Sequence, residues 1–332
     1  MRAAVVEVPG QAPKYQSFPD PVVQDGEVLV SVRAAGLHPI VKAIASGAHY
    51  SSAKDDSGPS VPGIDGVGVL DDGSRVYFGL IRKPWGTMAE RAAVPRKMCI
   101  PVPEKLGDIE AGAIANPGMS AWVAMGDRAA LAPGETVLIM GATGVAGQLA
   151  IQSARLMGAK RVIAAGRNVE ALAAADIDAI IALGQPEDAI LAALTAEAAS
   201  GIDVVVDYLW GRPTELLLDA LAKGFKAQAT HKTRLVEVGA SAGHTIALPA
   251  EVLRSIDLTL LGSGFGSASL ERILAAIPAL FGAAAAGTLK IDVEPVPLAE
   301  VESAWNRVEK GRRIVFTPKP PNFSFDISTK YS

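Results

Sequence analysis

A strand, a turn and a helix are predicted between residues 135 and 154, and this unit constrains the fold of the whole chain. The apolar run from Val137 to Met140 is too short for a typical helix and indicates a strand buried on both faces. Glycines then recur at intervals of three, and apolar residues recur at helical spacing. The two sets are Gly141, Gly144 and Gly147, and Val145, Leu149 and Leu156. The pattern predicts an amphipathic helix packed on a sheet.

Glycine-rich turns between a strand and a helix let backbone amides approach a pyrophosphate, which the positive end of the helix stabilises. The candidate residues are Gly141, Thr143, Gly144, Val145 and Gly147. Their spacing differs from the usual GxGxxG pattern, so an ordinary structural turn is the alternative interpretation. The surrounding chain has to distinguish the two.

Strands and helices alternate beyond residue 120 at the lengths that βαβ units require, which predicts a parallel sheet. The six predicted strands cover residues 135–140, 161–166, 178–183, 203–209, 234–239 and 257–264. This arrangement fits an α/β, doubly wound dinucleotide-binding domain of two mononucleotide halves. The polar stretch 223–232 is predicted to be a surface loop.

The N-terminal third is predicted to be mainly β and barrel-like. Residues 28–33 alternate with a period of two, and Asp72-Gly73 separates two extended runs, which is typical of a hairpin. Near the C-terminus, a helix over 268–286, a strand over 290–296, a helix over 298–311 and a strand over 312–318 are expected to return to this first domain. The predicted domains are therefore 1–120, 121–267 and 268–318, with a tail over 319–332.

Composition limits the possible functions. The 332 residues suffice for two domains, and a net charge of −4 disfavours a nucleic-acid binder, which normally presents a basic face. Cys99 is the only cysteine, which excludes internal disulfides and thiolate-rich zinc sites. The most apolar stretch, 273–287, is too short to span a membrane, and no signal-like N-terminus is present, so the expected location is the cytoplasm.

Taken in order, these segments resemble the medium-chain dehydrogenase/reductase superfamily. The resemblance is carried by the β-rich first segment, LAPGETVLIMGATGVAGQLAIQSARLMGA (131–159), VVVDYLWG (204–211) and VPLAEVESAWNRVEKGRRIVFTP (296–318). Within the superfamily the chain looks like the zinc-free, quinone oxidoreductase-like branch, whose members reduce quinones or other activated double bonds with NADPH. The resemblance implies a GroES-like β-barrel catalytic domain, a Rossmann domain, and a cofactor in the cleft between them.

Zinc ligands can be compared residue by residue. The zinc-dependent branch has a cysteine where this chain has His38, and a Gly-His-Glu where it has Gly63-Ile64-Asp65. Ile64 cannot bind a metal, and no cysteine stands near Asn116 to complete a site with three protein ligands. We therefore expect no metal, and a reaction without a Lewis acid to polarise a carbonyl.

The end of the second Rossmann strand selects the cofactor, because an acidic residue there binds the ribose 2′-hydroxyl of NAD. The strand ends instead in Gly166, Arg167 and Asn168, without an acid. Arg167 can pair with a 2′-phosphate, for which Gly166 leaves room, so NADPH is predicted. The alternative is that Arg167 is only a solvated surface arginine.

The resemblance places the nicotinamide near Ser120 and near two turns, Gly239-Ala240-Ser241 and Gly264-Phe265-Gly266. Asn116 and Trp85 are the candidates for the substrate pocket, although a tryptophan is more often part of a core. Ser120 also suits a helix cap, and glycine turns after parallel strands occur without ligands. The turns nevertheless follow strands five and six, where open α/β sheets bind ligands.

The catalytic candidates are Tyr50 and His38, in the segment 36–50. The quinone oxidoreductase-like pattern has this tyrosine but an asparagine at the His38 position. Hydride transfer to the β-carbon of a conjugated carbonyl leaves an enolate, which needs a hydrogen-bond donor and then a proton. Tyr50, His38 or an ordered water fits that role. Alternatively, Tyr50 is an aromatic wall and His38 a neutral, hydrogen-bonded ring.

The sequence thus predicts an NADPH-dependent, zinc-independent reductase of quinones or α,β-unsaturated carbonyl compounds. A carbonyl or alcohol oxidoreductase and a non-catalytic NADPH-binding protein of the zeta-crystallin type are the alternatives. In the family the last Rossmann strand pairs across a dimer, so a homodimer is expected through residues 257–264. The physiological substrate is not encoded in any motif found here.

Overall fold

The computed structural model describes residues 1–49, 52, 58–224, 232–264, 266–308 and 311–318. The described strands are β1 (Arg2–Val5), β2 (Lys14–Ser17), β3 (Glu27–Gly36), β4 (Asp65–Val69), β5 (Arg75–Gly79), β6 (Arg91–Pro95), β7 (Ile100–Pro101), β8 (Thr136–Met140), β9 (Arg161–Gly166), β10 (Ala179–Ala182), β11 (Val204–Asp207), β12 (Lys232–Glu237), β13 (Asp257–Gly262), β14 (Val293–Pro297) and β15 (Arg313–Thr317).

The described α-helices are α1 (Pro39–Ala45), α2 (Asp108–Trp122), α3 (Val145–Leu156), α4 (Val169–Ala173), α5 (Glu187–Ser200), α6 (Gly211–Gly224), α7 (Ala250–Ser255), α8 (Leu270–Ala285) and α9 (Val301–Ala304). Short 3₁₀-helices cover Arg96–Met98 and Leu298–Glu300, and a π-helix covers Val123–Arg128. No described helix is both long and apolar enough to cross a membrane.

Six parallel strands form one sheet in the order β10-β9-β8-β11-β12-β13. This is the doubly wound order 3-2-1-4-5-6, with the reversal between β8 and β11. All six predicted strands form close to their predicted bounds. The central strand β11 is buried at all four positions, as a parallel sheet covered by helices on both faces requires. The predicted Rossmann sheet is confirmed.

The second sheet is mixed and contains the predicted hairpin. β4 and β5 pair antiparallel around Asp72-Gly73, where Gly73 has φ +85°, a conformation that glycine adopts without steric cost. β3 pairs with both β4 and β6. β15 pairs antiparallel with β3 and parallel with β14, so the C-terminal strands extend the sheet that the N-terminal strands form.

Helix α3 joins the two sheets. Val145 and Leu149 pack with Ile277, Phe281 and Val315 in a core that both halves of the molecule share. The opposite face of α3 packs on the parallel sheet through Ala150, Ile151 and Ala154. Leu156 was expected on the buried side but is 42% exposed, because it is the last residue of the helix, beyond the edge of this core.

One helix prediction needs correction. In place of the helix expected over 298–311, the structure has a 3₁₀ turn followed by α9, which ends at Ala304. The apolar residues Val301, Ala304 and Trp305 are buried by this point in the chain. Val308 lies beyond that end and is 81% exposed, so a longer helix would gain no apolar burial there. The segment after α2 is a π-helix rather than an α-helix, with the amide of Ala129 bonded to the carbonyl of Ala124 at 2.9 Å. Residues 225–231 of the predicted loop and the tail 319–332 lie outside the described residues.

Candidate functional site

The loop between β8 and α3 has the backbone of a phosphate-binding turn. Gly141 has φ +87°, and the amides of Gly141 and Ala142 both donate to the carbonyl of Ala165 on β9, at 3.0 Å each. Gly144 is exposed immediately before α3, at the positive end of a 12-residue helix. The loop is thus fixed to the sheet, while its last residue faces solvent.

Gly147 allows α3 to approach this loop. A methyl group built on Gly147 would lie 2.4 Å from the carbonyl oxygen of Gly141 and 2.6 Å from Cα of Ala142. Both are backbone atoms, which cannot rotate away as a side chain would. A glycine is therefore required here for close contact between helix and strand, a contact characteristic of dinucleotide-binding turns.

The end of β9 lies against the same loop. A methyl group built on Gly166 would be 2.7 Å from Cγ2 of Thr143, so these two predicted cofactor residues are neighbours. Arg167 follows, exposed, and forms no hydrogen bond or ion pair with any residue that the structure describes. Asn168 accepts a hydrogen bond from the amide of Ala171 at 3.2 Å and so caps α4. The guanidinium of Arg167 is available to an anion placed at this edge.

Buried Asp207 organises the loops that follow β11 and β12. Its Oδ1 accepts the amides of Leu209 and Trp210 at 2.8 and 3.1 Å, and its Oδ2 accepts the hydroxyl of Thr214. Burial raises the pKa of Asp207, and these hydrogen bonds oppose that rise. The backbone carbonyl of Asp207 also accepts the amide of Gly239, at 3.2 Å. Asp207 therefore connects the β11 loop to the first residue of the Gly239-Ala240-Ser241 turn.

Tyr208 connects that turn to helix α2. Its carbonyl accepts the hydroxyl of Ser241 at 2.8 Å, and its phenol oxygen lies 3.5 Å from Oγ of Ser120. Burial raises the pKa of Tyr208, so the phenol is protonated at neutral pH. Ser120 also donates to the carbonyl of Pro117 at 2.8 Å, and half-buried Asn116 lies one turn earlier on α2. The structure thus brings Ser120 and Ser241 together through one tyrosine.

The remaining predicted turn follows β13. Gly264 and Gly266 are exposed, and Oγ of Ser267 accepts the amide of Gly264 at 2.7 Å. The ends of β12 and β13 border a cavity of about 440 Å³ that Ala240 and Gly262 line together with Trp210 and Glu237. Burial, and then the charge of Asp207, raise the pKa of Glu237. The cavity therefore adjoins the Gly239-Ala240-Ser241 turn and the end of β13, at the edge of the sheet.

His38 is fully buried between β3 and α1. Its Nε2 lies 3.3 Å from Oδ1 of Asp65, whose Oδ2 accepts the hydroxyl of Tyr77 at 2.8 Å. A methyl group built on Gly36 would lie 2.4 Å from that Nε2, so glycine leaves the space that the imidazole fills. Burial, and then the charge of Asp65, raise the pKa of Tyr77, which keeps the phenol a donor to the carboxylate. Asp65 thus lies between an imidazole and a phenol.

Trp85 is placed away from these groups. Its indole nitrogen donates to the carbonyl of Pro19 at 3.1 Å, and the guanidinium carbon of Arg82 lies 5.1 Å from its ring centroid. Its assignment to the substrate pocket stays a prediction. Tyr50 and Phe265 lie outside the described residues. Within the described ranges, no group of three or more His, Cys, Asp or Glu side chains is arranged to hold a metal ion.

Sequence patterns assign no role to Asp207, Tyr208 or Tyr77, and they bring in Asp65 only through the comparison with zinc ligands. Asp207 carried a usable signal, because an acid at the end of a buried strand, as in VVVD, needs several donors. The bond between Asp65 and Tyr77 had no such signal.

Comparison with known proteins agrees with this geometry. The chain is 28% identical to a probable NADPH-dependent quinone reductase, tdiC, of Emericella nidulans, in an alignment 357 positions long, gaps included, that covers 96% of this chain and 100% of that protein. A quinone oxidoreductase from Thermus thermophilus, solved with and without NADPH, matches with a TM-score of 0.76 and 28% identity over 96% of this chain and 100% of that one. In sequence and in fold, the chain is similar to the quinone oxidoreductase branch of the medium-chain dehydrogenase/reductase superfamily. 

The chain is also 25% identical to mouse prostaglandin reductase-3, over 236 residues that cover 68% of this chain and 58% of that protein. No family model matches the chain.

Proposed function

We propose that this chain is an NADPH-dependent reductase that transfers a hydride to a quinone or to another activated, α,β-unsaturated carbonyl compound without a metal ion. The observation that carries the proposal is that a glycine-rich turn lies beside Gly166 and an exposed Arg167, which has no side-chain partner among the residues that the structure describes. The names of the relatives confirm the predicted cofactor, since tdiC is called NADPH-dependent and the Thermus enzyme was solved with NADPH.

The residues present fit that cofactor. Backbone amides at Gly144 and Val145 would hold the pyrophosphate, and Arg167 would pair with the 2′-phosphate through charge-assisted hydrogen bonds. Ser120 and the turns at Gly239–Ser241 and at Gly264 and Gly266 would border the nicotinamide, which supplies the hydride when it is bound. These assignments rest on the closeness of Thr143 to Gly166 and on the Ser120–Tyr208–Ser241 contacts.

A direct assay tests the proposal. NADPH oxidation, monitored by the decrease in absorbance at about 340 nm, is expected with a panel of quinones and enones. Simple ketones and alcohols are expected to be poor substrates. The reason is that no group of described side chains is arranged to hold a metal ion, which would act as a Lewis acid at a carbonyl or alkoxide oxygen. Tight NADPH binding without turnover of any compound would support the non-catalytic alternative, and preferential ketone reduction would support the carbonyl oxidoreductase.

The proton donor can be identified with two variants. Tyr50→Phe is expected to lower kcat on an enone by about 100-fold or more, the usual contribution of a positioned acid. His38→Asn is expected to change kcat by no more than about threefold, because the ring is enclosed by Gly36 and Asp65 rather than exposed to a substrate. Steady-state kinetics on both variants give the answer.

A His38→Asn variant with a large loss of kcat and an unchanged KM would instead identify the imidazole as the donor. His38→Ala serves as the control for the cavity that any smaller residue leaves. If both Tyr50→Phe and His38→Asn retain full turnover, water is the proton source.

We also propose that the chain forms a homodimer through β13. This strand lies at the edge of the parallel sheet, and its apolar residues Leu258, Leu260 and Leu261 are only half-buried. An exposed apolar edge strand offers unpaired backbone groups that a second copy would satisfy. Light scattering is expected to give twice the chain mass, and a monomer mass would contradict this proposal.

A further inference from the structure

We propose that Asp127 and Arg128, adjacent residues of the π-helix, are positioning residues for the cofactor. They contact the two ends of the segment that runs from the last residue of β13 to the first turn of α8. Gly264 and Gly266, the predicted nicotinamide contacts, lie between these ends. The inference rests on the proposed function. It adds to that function two residues that lie outside the predicted cofactor turns.

Arg128 holds the end of β13. Its Nε donates to the carbonyl of Gly262 at 2.8 Å. The next amide, that of Ser263, donates to the carbonyl of Glu237 at 2.8 Å and so faces β12. Because alternate residues of a parallel strand direct their backbone groups to opposite sides, the carbonyl of Gly262 faces the open edge of the sheet. Arg128 therefore supplies a donor to a carbonyl that β12 does not satisfy.

Asp127 holds the start of α8. Its Oδ1 forms an ion pair with the guanidinium of Arg272, whose own amide donates to the helix-capping hydroxyl of Ser269 at 3.3 Å. The side chain of Asp127 is mostly buried, and its Oδ2 accepts no hydrogen bond from a described residue. The ion pair with Arg272 is thus the main compensation for burying this carboxylate.

The π-helix is itself firmly attached. The guanidinium of Arg234, on β12, donates to the carbonyls of Ala129 and Ala130 at 2.7 and 3.2 Å and also forms an ion pair with Glu135. The π-helix continues directly from α2, which carries Ser120. One continuous helical segment therefore carries a predicted cofactor contact and, seven and eight residues further along, the two attachments of the glycine turn.

Between its two ends, the segment contains exposed glycines among its described residues. Gly264 and Gly266 are exposed, and Gly266 has φ +101°, which glycine adopts freely. The hydrogen bonds of Ser267 with Gly264 are local to the turn and do not attach it to the rest of the fold. We infer that the contacts of Asp127 and Arg128 set the position of this turn relative to β12, and hence the orientation of the nicotinamide half of the cofactor.

The test compares two ligands on the full-length protein. Arg128→Leu is expected to raise the dissociation constant of NADPH by about tenfold, the effect of a modest misplacement at a binding site. The same variant is expected to bind 2′,5′-ADP, which lacks the nicotinamide half, within about twofold of the wild type. Arg128→Lys retains a donor near Gly262 and is expected to recover most of the NADPH affinity.

Asp127 is tested by charge exchange. Asp127→Asn is expected to weaken NADPH binding without affecting 2′,5′-ADP, and the double variant Asp127→Arg with Arg272→Asp is expected to recover part of the loss. Equal losses for both ligands would indicate general disruption of the fold, and unchanged NADPH affinity in Arg128→Leu would show that the contact is not used; either result overturns the inference. Because the readout is a dissociation constant, a wild type that binds NADPH but reduces no quinone would refute only the proposed reaction.

Discussion

Gly147→Ala is expected to weaken NADPH binding by at least about 100-fold, because one methyl group would separate the helix from the phosphate turn. The new Cβ would lie 2.4 Å from the carbonyl oxygen of Gly141, far inside van der Waals contact. Helix α3 cannot retreat easily, since it packs on the sheet through one face and on the shared core through the other. Relief of the clash must therefore move Gly141 or shift the helix that would bind the pyrophosphate.

The same change should lower the free energy of unfolding by about 1–3 kcal/mol, the usual cost of an extra methyl group in a packed interior. Gly282→Ala is a matched control, because Gly282 is also a helical glycine but has nothing within 4 Å of a built Cβ. That variant is expected to gain up to about 1 kcal/mol from helix propensity alone. Isothermal titration with NADPH and thermal unfolding of both variants give the comparison. NADPH affinity in Gly147→Ala within twofold of wild type, about 0.4 kcal/mol, would contradict the role assigned to this glycine.

Arg167→Ala is expected to lower the affinity for NADPH by about 10- to 100-fold and to leave the affinity for NADH nearly unchanged. Loss of a charge-assisted hydrogen bond to a phosphate costs about 1.5–3 kcal/mol, and NADH has no 2′-phosphate to lose it. The structure leaves the guanidinium exposed and unpaired among the described residues, so no ion pair within the protein has to be broken for it to bind the phosphate.

The control for Arg167 is Arg254→Ala. Arg254 is also an exposed arginine, it lies on α7, and its replacement changes the net charge by the same unit. Titrations with NADPH and NADH are compared for both variants. Parallel losses for the two cofactors in Arg167→Ala would show that this arginine does not recognise the 2′-phosphate, and an equal loss of NADPH affinity in Arg254→Ala would indicate a non-specific charge effect.

The parallel sheet was predictable because each of its elements has a local signal. Arg161–Gly166 and Asp257–Gly262 are short apolar runs with turn residues at their ends, and their predicted starts coincide with the observed ones. The C-terminal helix failed because periodicity records which residues are apolar and not whether a partner surface is present. Trp305 is buried against such a surface, whereas Val308 is exposed. The same limit explains why Leu156 was assigned to a buried face that the helix does not extend to.

The candidate site divides in the same way. Glycine spacing and the missing acid at the end of β9 predict the cofactor residues because these signals are contiguous in sequence. The network around Asp207 and the contact between Ser120 and Tyr208 join segments that are far apart in the chain, the latter separated by 88 residues. No pattern within a window of one helix or strand contains that information.

For this protein, the sequence by itself determined the alternation of strands and helices, and it predicted the phosphate turn and the residue proposed to select the cofactor. Local backbone preference and hydrophobic period are sufficient for these features. Only the tertiary structure decided that Gly147 touches the turn, that His38 is enclosed beside Asp65, and that Asp127 and Arg128 reach residues 145 and 134 positions away. The physical reason is that each of these depends on the distance between two packed elements, which the chain fixes only when its separate apolar faces meet in one core.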